Sequence, residues 1–219
     1  MHRQFVSYPK SGRSWIRYTL TQLDLDRHIQ FHHDRFEFND GAKPPHDFDT
    51  ARRLHDYALV EKLVYLQRDP RDVMVSLYFQ VTGRFKDFFN YQGSVSEFIR
   101  DDYFGARNLR EFRRMWLEIC TRLGFLTVSY EECHQDTEGT LRKILTYYEL
   151  EVAPDRLSEA VANAQFGKMK ELENSGTFPH PWLKPRNNAA KVRQGKVGGF
   201  REALSENDID YLNEVFALP

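Results

Sequence analysis

The chain has 219 residues, 41% of them hydrophobic and 29% charged, which suits one globular α/β domain spanning 1–219 and excludes a disordered chain. Its net charge of −1 argues against nucleic acid as a partner, because nucleic-acid binders carry a net basic footprint. No apolar run approaches the roughly 20 residues of a membrane helix, the N-terminus lacks a signal-peptide core, and the only cysteines are Cys120 and Cys133. These features point to no membrane partner, no disulfide framework and a reducing cytoplasm.

The first element is a short apolar strand around Phe5-Val6-Ser7. It runs into the turn Tyr8-Pro9-Lys10-Ser11-Gly12-Arg13-Ser14-Trp15. A helix with Ile16, Leu20 and Leu23 on one face follows at once. Strand, turn and helix in this order gather backbone N–H groups and a positive dipole end around a phosphate. The turn is not a Walker A loop, in which Lys follows Gly; here Lys10 precedes Gly12.

Asp24 to Asp56 reads as an irregular stretch containing Gly41, Pro44-Pro45 and five of the eight histidines. Leu63 to Gln67 is a buried parallel strand by its β-branched and aromatic content. Asp69 and Pro70 then fit the N-cap and first position of a helix running to about Gln80. Arg68 stands at the strand end and Ser76 about two turns into the helix. In open α/β sheets ligands bind at the carboxyl ends of strands, where an Arg can grip a phosphate with two parallel hydrogen bonds.

Arg107 to Leu123 repeats apolar residues at helical spacing and Gly124 stops it. Phe125 to Tyr130 predicts a third strand. Further helices carry Leu141, Ile144, Leu145 and Tyr148, then start at Pro154, and the last starts at Ser205 with a capping box closed by Asp208. Alternating strands and helices predict a single α/β domain, a parallel sheet flanked by helices on both faces. Glu173 to Phe200, rich in Pro and Gly, is too long for a mere connector and predicts a functional cover.

The inverted order of the first turn resembles the 5′-phosphosulfate loop of sulfotransferases that use 3′-phosphoadenosine 5′-phosphosulfate (PAPS), whose product is 3′,5′-adenosine bisphosphate (PAP). It matches at Tyr8, Pro9, Lys10, Ser11, Gly12 and Trp15, with Ser14 replacing a Thr and Arg13 departing from the pattern. Arg68-Asp69-Pro70-Arg71-Asp72-Val73-Met74-Val75-Ser76 resembles the same family's 3′-phosphate motif, which implies that Arg68 and Ser76 hold that phosphate. Val128-Ser129-Tyr130-Glu131-Glu132 and Gln165-Phe166-Gly167-Lys168-Met169-Lys170 are similar to family segments around the adenine. They imply Tyr130 beside the base and Trp15 and Phe166 on its faces. Val192 to Arg201 resembles the family's closing loop and implies Arg193, Gln194 and Gly195 at the 3′-phosphate, with Gln194 in place of a Lys.

The resemblance implies a P-loop-like sulfotransferase fold with PAPS as cofactor. Lys10 would stabilise the leaving group, and Ser11, Gly12, Arg13 and Ser14 would line the 5′-phosphate. His33, in Phe31-His32-His33-Asp34, is the implied base, with His32 as its substitute. The acceptor is a hydroxyl or amine of a small molecule or glycan, touching Asp24–Asp56 and the aromatic stretch Phe79–Asp102. The chain starts almost on its first strand, so a comparatively open acceptor side is expected. A zinc site at His28, His32, His33 and Asp34 is a rival reading of that segment, although the transfer needs no metal. A small-molecule kinase and a non-catalytic nucleotide-binding module are the alternative readings of the whole chain.

Overall fold

The computed structural model describes residues 2–218. In chain order it contains β1 (Arg3–Ser7), α1 (Arg13–Thr21), β2 (Gln30–His32), α2 (Thr50–Asp56), β3 (Lys62–Gln67) and α3 (Pro70–Phe79). A π-helical turn, Gln80–Arg84, extends α3 and is followed by α4 (Lys86–Phe89), α5 (Val95–Arg100) and α6 (Ala106–Leu123). Then come β4 (Leu126–Ser129), α7 (Tyr130–Gln135), α8 (Thr137–Tyr147), α9 (Pro154–Asn163), α10 (Phe166–Asn174) and α11 (Glu206–Phe216).

The four strands are parallel in the order β2-β1-β3-β4. Side chains alternate across a strand, and the sheet divides its apolar residues accordingly. Val6, Leu63 and Tyr65 pack on α3, α5 and α6, where Trp116, Phe112 and Met115 are fully buried. Phe5, Val64 and Leu66 face the other way, onto α1, α8 and α9 through Ile16, Leu20, Ile144 and Leu157. A smaller cluster of Tyr18, Ala164, Met169, Phe178 and Leu183 supports the segment after α10. No helix among the described residues is long and apolar enough to cross a membrane. Cys120 and Cys133 are both free and buried.

Local chemistry sets most helix starts. Asp69 caps α3 by accepting from the Arg71 N–H at 2.9 Å, with Pro70 in the first position. Full capping boxes open α5 at Ser94 with Glu97, and α7 at Ser129 with Glu132. The second box corrects the third strand: it ends at Ser129, and Tyr130 begins a helix. At Ser205 the box is only half made. Ser205 Oγ accepts from the Asp208 N–H at 3.2 Å, but the shorter Asp side chain turns to Ser96 and Arg100 instead of reaching back to the Ser205 N–H.

The stretch 24–56 is less irregular than its sequence suggests, since it contains β2 and α2. It is held by a buried ion pair, Arg53 Nε to Asp34 Oδ2 at 2.8 Å, while the Tyr57 hydroxyl donates to the other oxygen of Asp34 at 2.9 Å. Asp34 directly follows His33, so this network fixes the end of β2.

Candidate active site: a cationic cleft at the sheet switch point

The chain leaves β1 toward β2 on one side and returns to β3 on the other. The strand order therefore reverses between β1 and β3, the place where open α/β sheets bind ligands. A single cleft of about 790 Å³ lies there, within the usual range of about 300–1,000 Å³ for small-molecule sites. Every residue assigned to the nucleotide or to the base lines it except Ser11, which is buried inside the first turn, and His32. The turns after β1 and β3, 58 residues apart at Lys10 and Arg68, meet directly: Arg68 Nη1 donates to the Lys10 carbonyl at 3.2 Å.

Backbone shape forms the first turn. Gly12 has φ +100, and a Cβ there would lie 2.5 Å from the Tyr130 ring. Only glycine accepts both that dihedral and that contact. Lys10 is also left-handed, with φ 74. Among the described residues its ammonium has no hydrogen-bond or ion-pair partner. Burial first, then the charges of Lys191, Arg84, Arg68 and Arg193, push its pKa well below the ordinary lysine value. An anion in the cleft would relieve that repulsion.

Arg68 is clamped from several sides. Its Nη2 donates to the Lys196 carbonyl at 3.1 Å, Asp72 lies 3.6 Å away, and the guanidinium sits 4.1 Å from the Tyr130 ring centre. Its Nε is buried without a partner, as are Arg13 Nη1, Arg84 Nε and Gln194 Oε1. Buried donors without acceptors cost about 1–3 kcal/mol each. Three such guanidinium nitrogens around one cleft fit a phosphate-bearing ligand.

The aromatic residues form the other end. Trp15 Nε1 donates to the Ala164 carbonyl at 3.0 Å, and its ring meets Tyr130 edge-on at 5.6 Å. Phe166 is 40% exposed at the cleft. Gly195, with φ +62, passes so close that a Cβ would be 2.1 Å from the Phe166 ring. His134 donates from Nε2 to the Gly195 carbonyl at 3.1 Å. The closing segment is thus seated on the ring that the sequence assigns to adenine.

His33 and His32 are separated by the pleat. His33 Nδ1 lies 2.7 Å from the Ser7 carbonyl. A carbonyl only accepts, so Nδ1 carries the proton and Nε2 has the free lone pair. Burial first, then the Arg13 charge, hold the His33 pKa well below the ordinary histidine value, so the ring is neutral at neutral pH. His32 faces away from the cleft and both its nitrogens are engaged, Nε2 with Gln4 Oε1 at 2.8 Å and Nδ1 with the Asp34 N–H at 3.2 Å. His32 is therefore not open to the cleft. Among the described residues no group of three or more His, Cys, Asp or Glu is placed to hold a metal, so His28, His32, His33 and Asp34 are not gathered as ligands.

The sequence reading missed four residues of the site. Lys191 and Arg84 line the cleft. Burial, with Arg84 and Arg13 nearby, lowers the Lys191 pKa to about 7. Asp72 and Glu173 anchor the closing segment from below. Asp72 accepts from the N–H groups of Gly198 and Phe200 at 2.8 and 2.9 Å. Glu173 accepts from the N–H groups of Lys191 and Val192 and pairs with Lys170 at 3.0 Å. Asp72 lay within the quoted motif, Lys191 directly precedes the closing-loop motif at Val192, and Glu173 opens the stretch read as a cover; only Arg84 has no neighbouring signal in the sequence.

A parallel α/β sheet whose switch point carries a cationic, aromatic-flanked cleft is an arrangement suited to a phosphate-bearing ligand. The model of the sulfotransferase domain family matches residues 4–217, and the chain belongs to that family. It is 30% identical over 146 residues to human sulfotransferase 2B1, covering 64% of this chain and 39% of the relative. It is 24% identical over 243 residues to the guinea pig (Cavia porcellus) 3-alpha-hydroxysteroid sulfotransferase, covering 96% of this chain and 80% of that one. Its matches to the human, mouse and rat sulfotransferases 2B1 span 39 to 46% of their length. Among solved structures, mouse sulfotransferase SULT7A1 complexed with PAP matches 99% of this chain and 82% of its own, with a TM-score of 0.68 and 16% identity. Retinol dehydratase in complex with androsterone and the inactive cofactor PAP matches 99% and 79%, with a TM-score of 0.65 and 16% identity. These two likenesses bear on the fold.

Proposed function

We propose that this protein is a PAPS-dependent sulfotransferase acting on a hydroxyl or amine of a small molecule. The observation that carries the reading is the meeting of the β1 and β3 turns in one cleft that also contains a neutral histidine with its Nε2 free. Arg68, Ser76 and Arg193 would hold the 3′-phosphate, the first turn would hold the 5′-phosphate, and Trp15, Tyr130 and Phe166 would enclose the adenine. When bound, the nucleotide supplies a sulfuryl group whose bond to the 5′-phosphate oxygen breaks as the acceptor's oxygen or nitrogen bonds to sulfur.

The chain's residues position the groups and manage charge, as in phosphoryl transfer. His33 takes the acceptor proton on Nε2, and the Ser7 carbonyl keeps the ring in the required tautomer. Lys10 faces the negative charge that grows on the leaving oxygen. The steroid sulfotransferase among the relatives supports a small-molecule acceptor.

The test is a melting series with PAP, with ATP plus Mg²⁺, and with buffer, followed by transfer from PAPS to a broad acceptor panel. PAP at about 100 times its dissociation constant raises stability by about 2.7 kcal/mol. A response to ATP alone, or to neither nucleotide, overturns the reading. PAP binding without transfer to any acceptor leaves a nucleotide-binding module in its place.

A further inference from the structure

The cleft contains more positive charge than the nucleotide motifs account for. Lys10, Arg13, Arg68 and Arg193 belong to those motifs, but Arg84 and Lys191 do not, and both line the same cleft. Among the described residues neither of the two forms an ion pair. Glu173, the carboxylate that acts on both, also accepts from the Lys191 and Val192 N–H groups and pairs with Lys170.

Arg84 is built in place. It ends the π-helical turn after α3 and is only 6% exposed. Its Nη1 donates to the Lys184 carbonyl at 2.9 Å, its own carbonyl accepts from Asn187 at 3.0 Å, and its Nε is buried with no partner. A guanidinium held rigidly with an unused donor is a preformed oxyanion contact.

We infer that the acceptor is itself an acid, whose carboxylate, phosphate or sulfate is held by Arg84 and Lys191 while its hydroxyl or amine faces His33. This rests on the sulfuryl-transfer reading above. The placement of this charge supports it: Arg84 and Lys191 line the cleft beside His33, Lys191 acts on His33, and Arg84 acts on Lys191.

The experiment loads the protein with PAP, which saturates the nucleotide cations, and titrates it with matched acceptor pairs by calorimetry. The probes are a phenol, an alcohol and an amine, each with and without a carboxylate. In at least one pair the acid binds about tenfold or more tightly than its neutral partner, and salt weakens that preference. Arg84→Gln narrows the acid-to-neutral ratio, with PAP affinity serving as the control for folding. Equal or weaker binding of the acid in all three pairs, including no binding of any, overturns the inference. So does a ratio that Arg84→Gln leaves unmoved. Failure to bind PAP at all would instead strike the sulfotransferase reading, so the two failures are distinguishable.

Discussion

The turns after β1 and β3 rise from strands that are almost fully buried and laced to one another by parallel ladders. The opposite wall of the cleft, from Glu173 to Phe200, has 3₁₀ turns and one isolated bridge between Arg186 and Ala189, but no strand. Its order comes from side chains: buried Glu173 at one end, buried Asp72 at the other, and the Phe166 ring under Gly195. A wall built of backbone ladders fixes where phosphates can sit. A wall suspended from a few carboxylates governs the closing of the cleft and can be altered without disturbing the sheet.

The largest effect should come from the strand-built side. Lys10→Ala is expected to lower turnover by about 100- to 1,000-fold, the usual consequence of removing a group aimed at developing charge, while PAP still raises the melting temperature. Full turnover in this variant would remove Lys10 from its role. The same side should carry an acid sensitivity. His32 has its pKa lowered from 6.5 to about 4, chiefly by burial and then by the Arg13 charge. Its neutral form is therefore favoured by folding, so the stabilisation is complete above pH 6.5 and is lost as pH falls toward 4. The loss is up to about 3 kcal/mol. Denaturant titrations across that range should show it, and His32→Gln should flatten the slope. An unchanged slope would mean that other groups carry the acid limb.

On the suspended side, Glu173→Gln keeps an acceptor for the Lys191 and Val192 N–H groups but removes the charge that pairs with Lys170. PAP affinity should fall about tenfold, with a smaller change in melting temperature. A large melting shift with unchanged affinity would show that Glu173 serves the core and not the cleft. The smallest effect is a proton balance. Lys191 has a pKa of about 7 in the cationic cleft, and bound anions raise it. Binding is then accompanied by uptake of less than about one proton, and affinity falls as pH rises past 7. Calorimetry in buffers of different ionisation enthalpy reads this directly, and no dependence on buffer would show that Lys191 does not sense the ligand.

The same contrast explains what could be read from the chain. The β1 and β3 turns were legible because strand, turn and helix are contiguous there, and each residue's neighbours in sequence are its neighbours in space. β2 was not legible: Gln30–His32 is only three residues long and partly exposed, with no apolar run to mark it. Tyr130 was read as the end of a strand although Ser129 and Glu132 already spelled a capping box, a stronger local signal than the apolar run before it. Arg84 and Lys191 reach the cleft through a π-helical turn and a carboxylate 18 residues away. Nothing around Arg84 announces the destination, whereas Lys191 stands one residue before the closing-loop motif. The choice between His32 and His33 needed the β1 register, because a pleat sends adjacent side chains to opposite faces.

Asp72 bonds to Gly198 and Phe200 from the same helix that carries Ser76 and follows Arg68. The far end of the closing segment is therefore bolted to the floor it covers. On the reading proposed above, a nucleotide would pass beneath the span between the two anchoring carboxylates. A change that loosens the pin at Asp72 should then quicken departure and weaken hold together, read as a faster PAP off-rate and a higher dissociation constant.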